Sequence, residues 1–111
     1  LLEPLEQEFL LRRPIIPAEC EHNAHMYYVL LAPEIDRQYV LEQLKRQEIW
    51  SVFHYVPLHS SPAGRQYGRA NGELDVTDRQ SERLVRLPLW VGLNASQQAH
   101  VVEIFQKAIR R

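Results

Sequence analysis

The first thirteen residues carry apolar side chains at helical spacing. The residues that share this stripe, three or four positions apart, are Leu2, Leu5 and Phe9. This period predicts a helix over Leu1–Arg13. Pro14 and Pro17 should end that helix because proline has no N–H to donate. We therefore divide the chain into residues 1–23, a helix followed by an irregular connector, and residues 24–111, the main domain.

Two apolar runs in the next part of the chain predict strands on either side of a helix. Ala24–Ala32 is rich in aromatic and branched residues and has no charge, which favours a central strand. A helix should begin near Pro33–Asp36 and bury a stripe that consists of Val40, Leu41 and Leu44. Ile49–Phe53 is predicted to be the second strand. If these strands are parallel neighbours, the crossover between them should be right-handed. If another strand lies between them, the unit is the split form of the β-α-β motif.

The second half of the chain is more polar until its last helix. Residues 61–73 are predicted to be a loop with one helical turn at Pro62–Tyr67 and a tight turn at Asn71-Gly72. Capping-box spacing between Thr77 and Gln80 predicts a helix from Asp78 to Arg86. The charged residues of this helix should be solvated.

The C-terminal segment has the most regular helical period. Pro88–Val91 is predicted to be extended, and Asn94 or Ser96 should cap a helix over Gln97–Arg110. The apolar residues at helical spacing are Val102, Phe105 and Ile109. The predicted fold class is therefore α+β in two layers, with a short sheet of two to four strands and helices on one face.

Composition and charge exclude several function classes. The chain has 111 residues, 45% of them hydrophobic, and a net charge of -1, so it is one small domain without a basic surface for nucleic acid or membranes. No apolar run could span a bilayer and no signal peptide is visible, so we expect a cytoplasmic protein. Cys20 is the single cysteine, which excludes an internal disulfide. The sequence begins Leu-Leu-Glu-Pro, without Met, and we expect a piece of a longer protein.

The candidate chemistry lies in Phe53–Pro62, which contains two of the five histidines, a tyrosine and two serines between prolines. A ligand site and a loop whose histidines bond backbone carbonyls are both open at this point. A metal site needs three or four ligands, and no CxxC or HExxH pattern joins Cys20, His22 and His25 to this loop. The glycine spacing is not that of a phosphate-binding loop.

Three blocks of the sequence resemble one enzyme family. Phe53–Gly64 resembles the HYxPLHxxP segment of the DegT/DnrJ/EryC1/StrS family, whose members are pyridoxal-phosphate-dependent sugar-nucleotide aminotransferases. Ser81–Leu89, followed by Gly92-Leu93 and the last helix, is similar to the family's C-terminal ending. His22–Leu31 resembles the strand that opens its small C-terminal domain.

The resemblance implies that the catalytic part of the enzyme is not in this chain. Family members carry the Schiff-base lysine and the acid facing the pyridine nitrogen in a large domain. Lys45 and Lys107 are the only lysines of the sequence, and neither has that context. We therefore expect a small C-terminal domain of a fold-type-I aminotransferase with no catalytic residue, no bound cofactor and no activity by itself.

In the full enzyme, the resemblance implies transfer of an amino group, with glutamate as the expected donor, to the 4-keto carbon of a nucleotide-linked deoxysugar. The implied substrate-binding residues are His54, Tyr55, His59, Ser60 and Ser61. An imidazole can donate to a hydroxyl or phosphate oxygen, and the serines can add hydroxyl contacts.

We also expect a homodimer, because without the large domain the apolar stripe of the first helix and the loop would be exposed. The alternatives are a ligand-sensing α+β module that acts by itself and a dimerisation module. A lysine in pyridoxal-phosphate context, encoded upstream in the same gene, would distinguish the enzyme from both.

Overall fold

A computed structural model describes residues 1–110, and Arg111, the last residue of the predicted main domain, lies outside the described residues. The fold is α+β, as predicted, with one three-stranded antiparallel sheet. The strands are β1 Leu11–Arg12, β2 Tyr27–Leu31 and β3 Leu84–Leu87. The helices are α1 Glu3–Gln7, α2 Arg37–Arg46, α3 Pro62–Tyr67, α4 Asp75–Arg83 and α5 Ala95–Ile109, with a 3-10 turn at Leu58–Ser60.

The central strand is β2, in agreement with its apolar sequence. It pairs with β1 through Leu11↔Leu31 and with β3 through Tyr28↔Arg86, in the order β1-β2-β3. It is shorter than the predicted Ala24–Ala32, because Ala24 has a left-handed φ of 50° that an extended strand cannot contain.

The predicted helix over Leu1–Arg13 is wrong beyond Gln7. Phe9 has a φ of 59°, which ends helical geometry, and its side chain is 87% exposed. Leu11 then continues in β1, paired with β2. Leu2 and Leu5 are buried in the main hydrophobic core, so the expectation of an exposed Leu2/Leu5/Phe9 stripe holds only for Phe9.

The predicted β-α-β unit is also wrong as stated, because Ile49–Phe53 is not a strand. Its contribution to the sheet is a single antiparallel bridge, in which Val52 and Arg86 exchange hydrogen bonds of 3.2 and 2.7 Å. Arg86 pairs with Tyr28 on its other side, so β3 lies between Val52 and β2. The order is that of the split β-α-β motif, but a single bridge at Val52 stands in place of the second strand.

The predicted helix Asp78–Arg86 begins and ends earlier, as α4 Asp75–Arg83. Leu74 is its N-terminal flanking residue without a side-chain cap, so the Thr77–Gln80 capping box is wrong. The chain changes to strand at Leu84 because Leu84–Leu87 pairs with β2 and Val85 is completely buried. Tertiary pairing overrides the local helical signal here.

Two longer helices pack together and complete the core. Asp36 caps α2 by accepting from the backbone N–H groups of Gln38 and Tyr39 at 2.8 and 3.2 Å, so α2 starts later than predicted. Asn94 caps α5 in a capping box with Gln97. The buried side chains that α2 and α5 contribute to the core are Val40, Leu44, Phe105, Ala108 and Ile109. They pack with the side chains of β2 that alternate toward the same face, Val29 and Leu31.

The helix α4 is fixed to the sheet at its C-terminal end. It contacts β2, and Nε of Arg83 donates to the carbonyl oxygen of Leu31 at 2.6 Å. Arg83 is therefore a structural contact and not the solvated residue that the sequence predicted. No helix within residues 1–110 has the length and apolar character needed to cross a membrane.

Candidate functional site

The predicted site loop, Phe53–Pro62, lies between the Val52–Arg86 bridge and the start of α3. Ser61 is the N-cap of α3, and its Oγ accepts from the backbone N–H of Gly64 at 2.9 Å. The same hydroxyl donates to the carbonyl of Leu58 at 2.8 Å. Ser60 donates to the carbonyl of Pro57 at 3.2 Å. Both serine hydroxyls therefore stabilise the shape of the loop.

His59 is held by a residue that the sequence did not indicate. Its Nε2 lies 3.1 Å from Oδ1 and 3.2 Å from Oδ2 of Asp78 on α4. The His59 side chain is 17% exposed and that of Asp78 is 44% exposed. The contact attaches the 3-10 turn of the loop to the first turn of α4.

His54 and Tyr55 form the other polar group of the loop. Their rings meet edge to face, with centroids 4.7 Å apart and an interplanar angle of 69°. Nδ1 of His54 is buried and has no hydrogen-bond partner among residues 1–110. Tyr55 is 71% exposed, so its hydroxyl is available for a partner outside the chain.

A cavity of about 160 Å³ lies beneath the loop. Of the predicted site residues, Tyr55 and Ser60 line it, whereas His54, His59 and Ser61 do not. The charged residues that line it are Arg37, Asp78 and Glu82. The cavity therefore brings one cation and two carboxylates next to the loop.

Arg37 connects this cavity to three elements. Its Nη1 donates to the carbonyl of Ser81 on α4, and its guanidinium lies over the ring of Phe53 at 5.3 Å. Burial lowers the pKa of Arg37, and the charge of Glu82 opposes that effect. The side chain stays cationic because arginine titrates far above neutral pH.

A larger cavity, of about 770 Å³, lies elsewhere on the molecule. Its lining includes Trp50, Trp90, Arg86 and His100, and none of the predicted site residues. Its size alone does not make it the site, because Tyr55 and Ser60 of the loop line the smaller cavity and no predicted site residue lines this one. Within residues 1–110, no three His, Cys, Asp or Glu side chains come together to hold a metal ion.

A model described as the DegT/DnrJ/EryC1/StrS aminotransferase family matches residues 2–106. The chain belongs to this family. The dTDP-4-dehydro-2,3,6-trideoxy-D-glucose 4-aminotransferase of Saccharopolyspora spinosa is 32% identical over 96 residues, which are 86% of this chain and 24% of that protein. The chain thus spans about a quarter of the length of the curated relatives it matches.

Solved structures of aminotransferases share this fold. The aminotransferase TlmJ from Streptoalloteichus hindustanus superposes with a TM-score of 0.81 at 25% identity, over 98% of this chain and 29% of that chain. NtdA from Bacillus subtilis, solved with the bound cofactor PMP, has a TM-score of 0.81 at 19% identity, over 99% of this chain and 25% of that chain. The likeness to NtdA supports the fold alone.

The family implies pyridoxal phosphate, and the lysines of this chain do not fit that cofactor. Lys107 is exposed and donates to Glu103 at 2.6 Å, and Lys45 is exposed with its Nζ 5.6 Å from the ring centroid of Trp50. Neither lysine lines the small cavity or the large one. No step through the cofactor is therefore assigned to these residues.

Sequence reasoning did not find Asp78 and Arg37 as site residues. Asp78 lies 19 positions from His59 in the sequence, on a helix whose start was placed incorrectly. Arg37 follows the cap of α2, where an arginine usually is a solvated helix residue. No local pattern links either of them to the loop, so only the folded arrangement identifies them.

Proposed function

We propose that this chain is the small C-terminal domain of a pyridoxal-phosphate-dependent aminotransferase that converts a dTDP-4-keto-6-deoxyhexose to its 4-amino sugar nucleotide. The observation that carries the proposal is the family match over residues 2–106. The relative named as a dTDP-4-dehydro sugar 4-aminotransferase supports the substrate class. Within the family, the resemblance favours a dTDP-4-amino-4,6-dideoxygalactose transaminase that makes sugars for lipopolysaccharide or common antigen.

The proposal divides the work between two domains. A large domain outside these residues would hold the cofactor, which supplies the amino-transfer chemistry, together with its lysine. This chain would close one side of the substrate cleft and would not be active by itself. Glutamate is the proposed amino donor, and the full enzyme is proposed to be a homodimer.

The proposed substrate-binding part of this chain is the loop Phe53–Pro62. Tyr55 fits this role because it is 71% exposed, and His54 packs edge to face against its ring. His59, Ser60 and Ser61 would complete the loop, the serines by keeping its turn in shape.

The test uses the full-length protein with glutamate and a dTDP-4-keto-6-deoxyhexose, and the amino sugar nucleotide is measured by mass spectrometry. We expect product from the unaltered protein. His54→Ala should raise the KM for the sugar nucleotide about ten-fold, which corresponds to about 1.4 kcal/mol. His25→Ala is the matched control because His25 is exposed, bonds Asn23 and lies outside the loop.

The results that would overturn the proposal are equally specific. Sugar-nucleotide binding without any product would favour a ligand-sensing module. Dimer formation without binding would favour a dimerisation module. Equal KM values for His54→Ala and His25→Ala would remove His54 from the substrate site.

A further inference from the structure

We propose that Asp78 is a positioning residue, which sets the ring orientation and tautomer of His59 so that the ring accepts a hydrogen bond from a substrate hydroxyl. This inference rests on the proposed function. The observation behind it is the contact between Nε2 of His59 and both carboxylate oxygens of Asp78, at 3.1 and 3.2 Å.

The chemistry of the two groups determines where the proton lies. An ionised carboxylate can only accept, so the nitrogen that bonds it must carry a hydrogen. In a neutral imidazole, a hydrogen on Nε2 makes Nδ1 the acceptor. His59 in this form can receive a hydrogen bond from a sugar hydroxyl, but it cannot bond a phosphate oxygen, which has no hydrogen to give. When His59 is neutral, Asp78 thereby selects the hydroxyl-bearing part of the nucleotide sugar.

Positioning requires that Asp78 itself be fixed, and two contacts fix its helix to neighbouring elements. Arg83 bonds the carbonyl of Leu31 on the central strand, and Arg37 bonds the carbonyl of Ser81. The hydroxyl of Ser81 donates to the carbonyl of Asp78 at 2.8 Å. The carboxylate therefore projects from a helix that is attached to both β2 and α2.

The burial of the pair agrees with an orienting role. His59 is the more buried partner, at 17% exposed, and Asp78 lines the cavity under the loop together with Tyr55 and Ser60. Asp78 is 44% exposed, and a polar contact that is open to solvent on one side contributes little to stability. The expected effect of losing Asp78 is therefore on substrate binding more than on unfolding.

The first experiment compares Asp78→Asn with Asp75→Asn in the full-length protein. Both residues lie in the first turn of α4, so both substitutions remove one negative charge from the same helix end. Asp78→Asn should raise the KM for the sugar nucleotide about ten-fold with kcat nearly unchanged, as loss of a charge-assisted hydrogen bond predicts. Asp75→Asn should leave both constants unchanged.

A double substitution tests whether Asp78 acts through His59. If it does, His59→Ala combined with Asp78→Asn should be no worse than His59→Ala alone. Additive losses would overturn the proposal. The Kd of dTDP, which carries the diphosphate without the sugar, should be the same for the unaltered protein and His59→Ala. Weaker dTDP binding by His59→Ala would overturn the assignment of His59 to a hydroxyl.

The tautomer is measured directly by nitrogen NMR of histidine-labelled full-length protein. We expect His59 to be protonated at Nε2 in the unaltered protein and in Asp75→Asn, and to become a mixture of tautomers in Asp78→Asn. Identical His59 signals in all three proteins would overturn the proposal. Absence of amino transfer by the unaltered protein would instead overturn the proposed function, and the tautomer shift would still decide whether Asp78 orients His59.

Discussion

The guanidinium of Arg37 lies 5.3 Å from the ring centroid of Phe53, and its Nη1 bonds the carbonyl of Ser81. One side chain of α2 thus contacts both the first residue of the site loop and the helix α4. Because Asp78 of α4 bonds His59, the loop is attached to α4 at two points, directly at His59 and through Arg37 at Phe53. This double attachment fixes the loop against α4, and the hydrogen bonds of Ser60 and Ser61 stabilise its shape.

Removing the charge of Arg37 should loosen the start of the loop. Arg37→Met keeps an apolar stem and removes the cation, which should cost about 1 kcal/mol of stability. Hydrogen exchange of residues 53–61, measured by mass spectrometry, should become faster. Arg46→Met, an exposed position at the end of the same helix, is the control. Equal exchange in both variants would show that Arg37 does not hold the loop.

The sequence predicted best the elements whose signals are local. The helix α5 has a capping residue and a regular apolar period over fifteen residues, so local sequence was sufficient to find it. The strand β3 has four residues, Leu84–Leu87, whose pattern also fits the end of a helix, and only pairing with distant β2 decides between them. The polar residues of the loop are neighbours in the sequence, so the sequence could predict the loop as a candidate site. Asp78 and Arg37 are distant from the loop in sequence, so no local pattern could predict that they contact it.

A pair of substitutions tests the corrected N-terminal segment. Leu5 is completely buried, so Leu5→Ala should lower the free energy of unfolding by about 2–5 kcal/mol. Phe9 belongs to the same predicted stripe but is 87% exposed, so Phe9→Ala should change the free energy of unfolding by less than about 0.5 kcal/mol. Urea unfolding of the 111-residue chain measures both. Comparable losses at the two positions would restore the longer predicted helix.

The N-cap of α5 provides a second test by unfolding. Oδ1 of Asn94 accepts from the backbone N–H of Gln97 at 2.9 Å, and the side chain of Gln97 accepts from the backbone N–H of Asn94 at 3.0 Å. Asn94→Ala should therefore lower the free energy of unfolding by about 1 kcal/mol. Ser96 only donates to Asn94, at 2.7 Å, so Ser96→Ala should cost less. The reverse order in urea unfolding would identify Ser96 as the cap.

The pair Glu6–Arg13 should make stability depend on pH. The bond from the backbone N–H of Arg13, at 2.8 Å, and then that from its Nε, at 2.6 Å, hold the pKa of Glu6 below its ordinary value of 4.5. A carboxylate with a lowered folded-state pKa stabilises the fold above its unfolded pKa, and this contribution is lost as the pH falls through the folded value.

Glu6→Gln should therefore be less stable than the unaltered chain at pH 7, and the difference should disappear at a pH well below 4.5. Thermal unfolding at a series of pH values measures the difference. Glu3→Gln is the control, because Glu3 lies 3.8 Å from Nη2 of Arg13 and is 64% exposed. A difference that persists unchanged into acid would mean that the Glu6 carboxylate has no part in it.

Gly64, in the helix that follows the loop, has no room for a side chain. Alanine is normally better than glycine inside a helix by about 1 kcal/mol. At Gly64 of α3, however, a Cβ would lie 1.6 Å from the carbonyl oxygen of Leu58 and 2.9 Å from Oγ of Ser61. Backbone must move to relieve the first contact, and overpacking of this kind costs about 1–3 kcal/mol.

Gly64→Ala should therefore destabilise the protein and displace the turn that carries His59. The higher helix propensity of alanine by itself would predict stabilisation. We expect a lower midpoint of thermal unfolding and, in the full-length protein, a higher KM for the sugar nucleotide. Gln66→Ala, at an exposed position of the same helix, should be neutral or slightly stabilising. A Gly64→Ala protein as stable as Gln66→Ala would mean that the 3-10 turn moves freely, and the loop could not then hold His59 against Asp78.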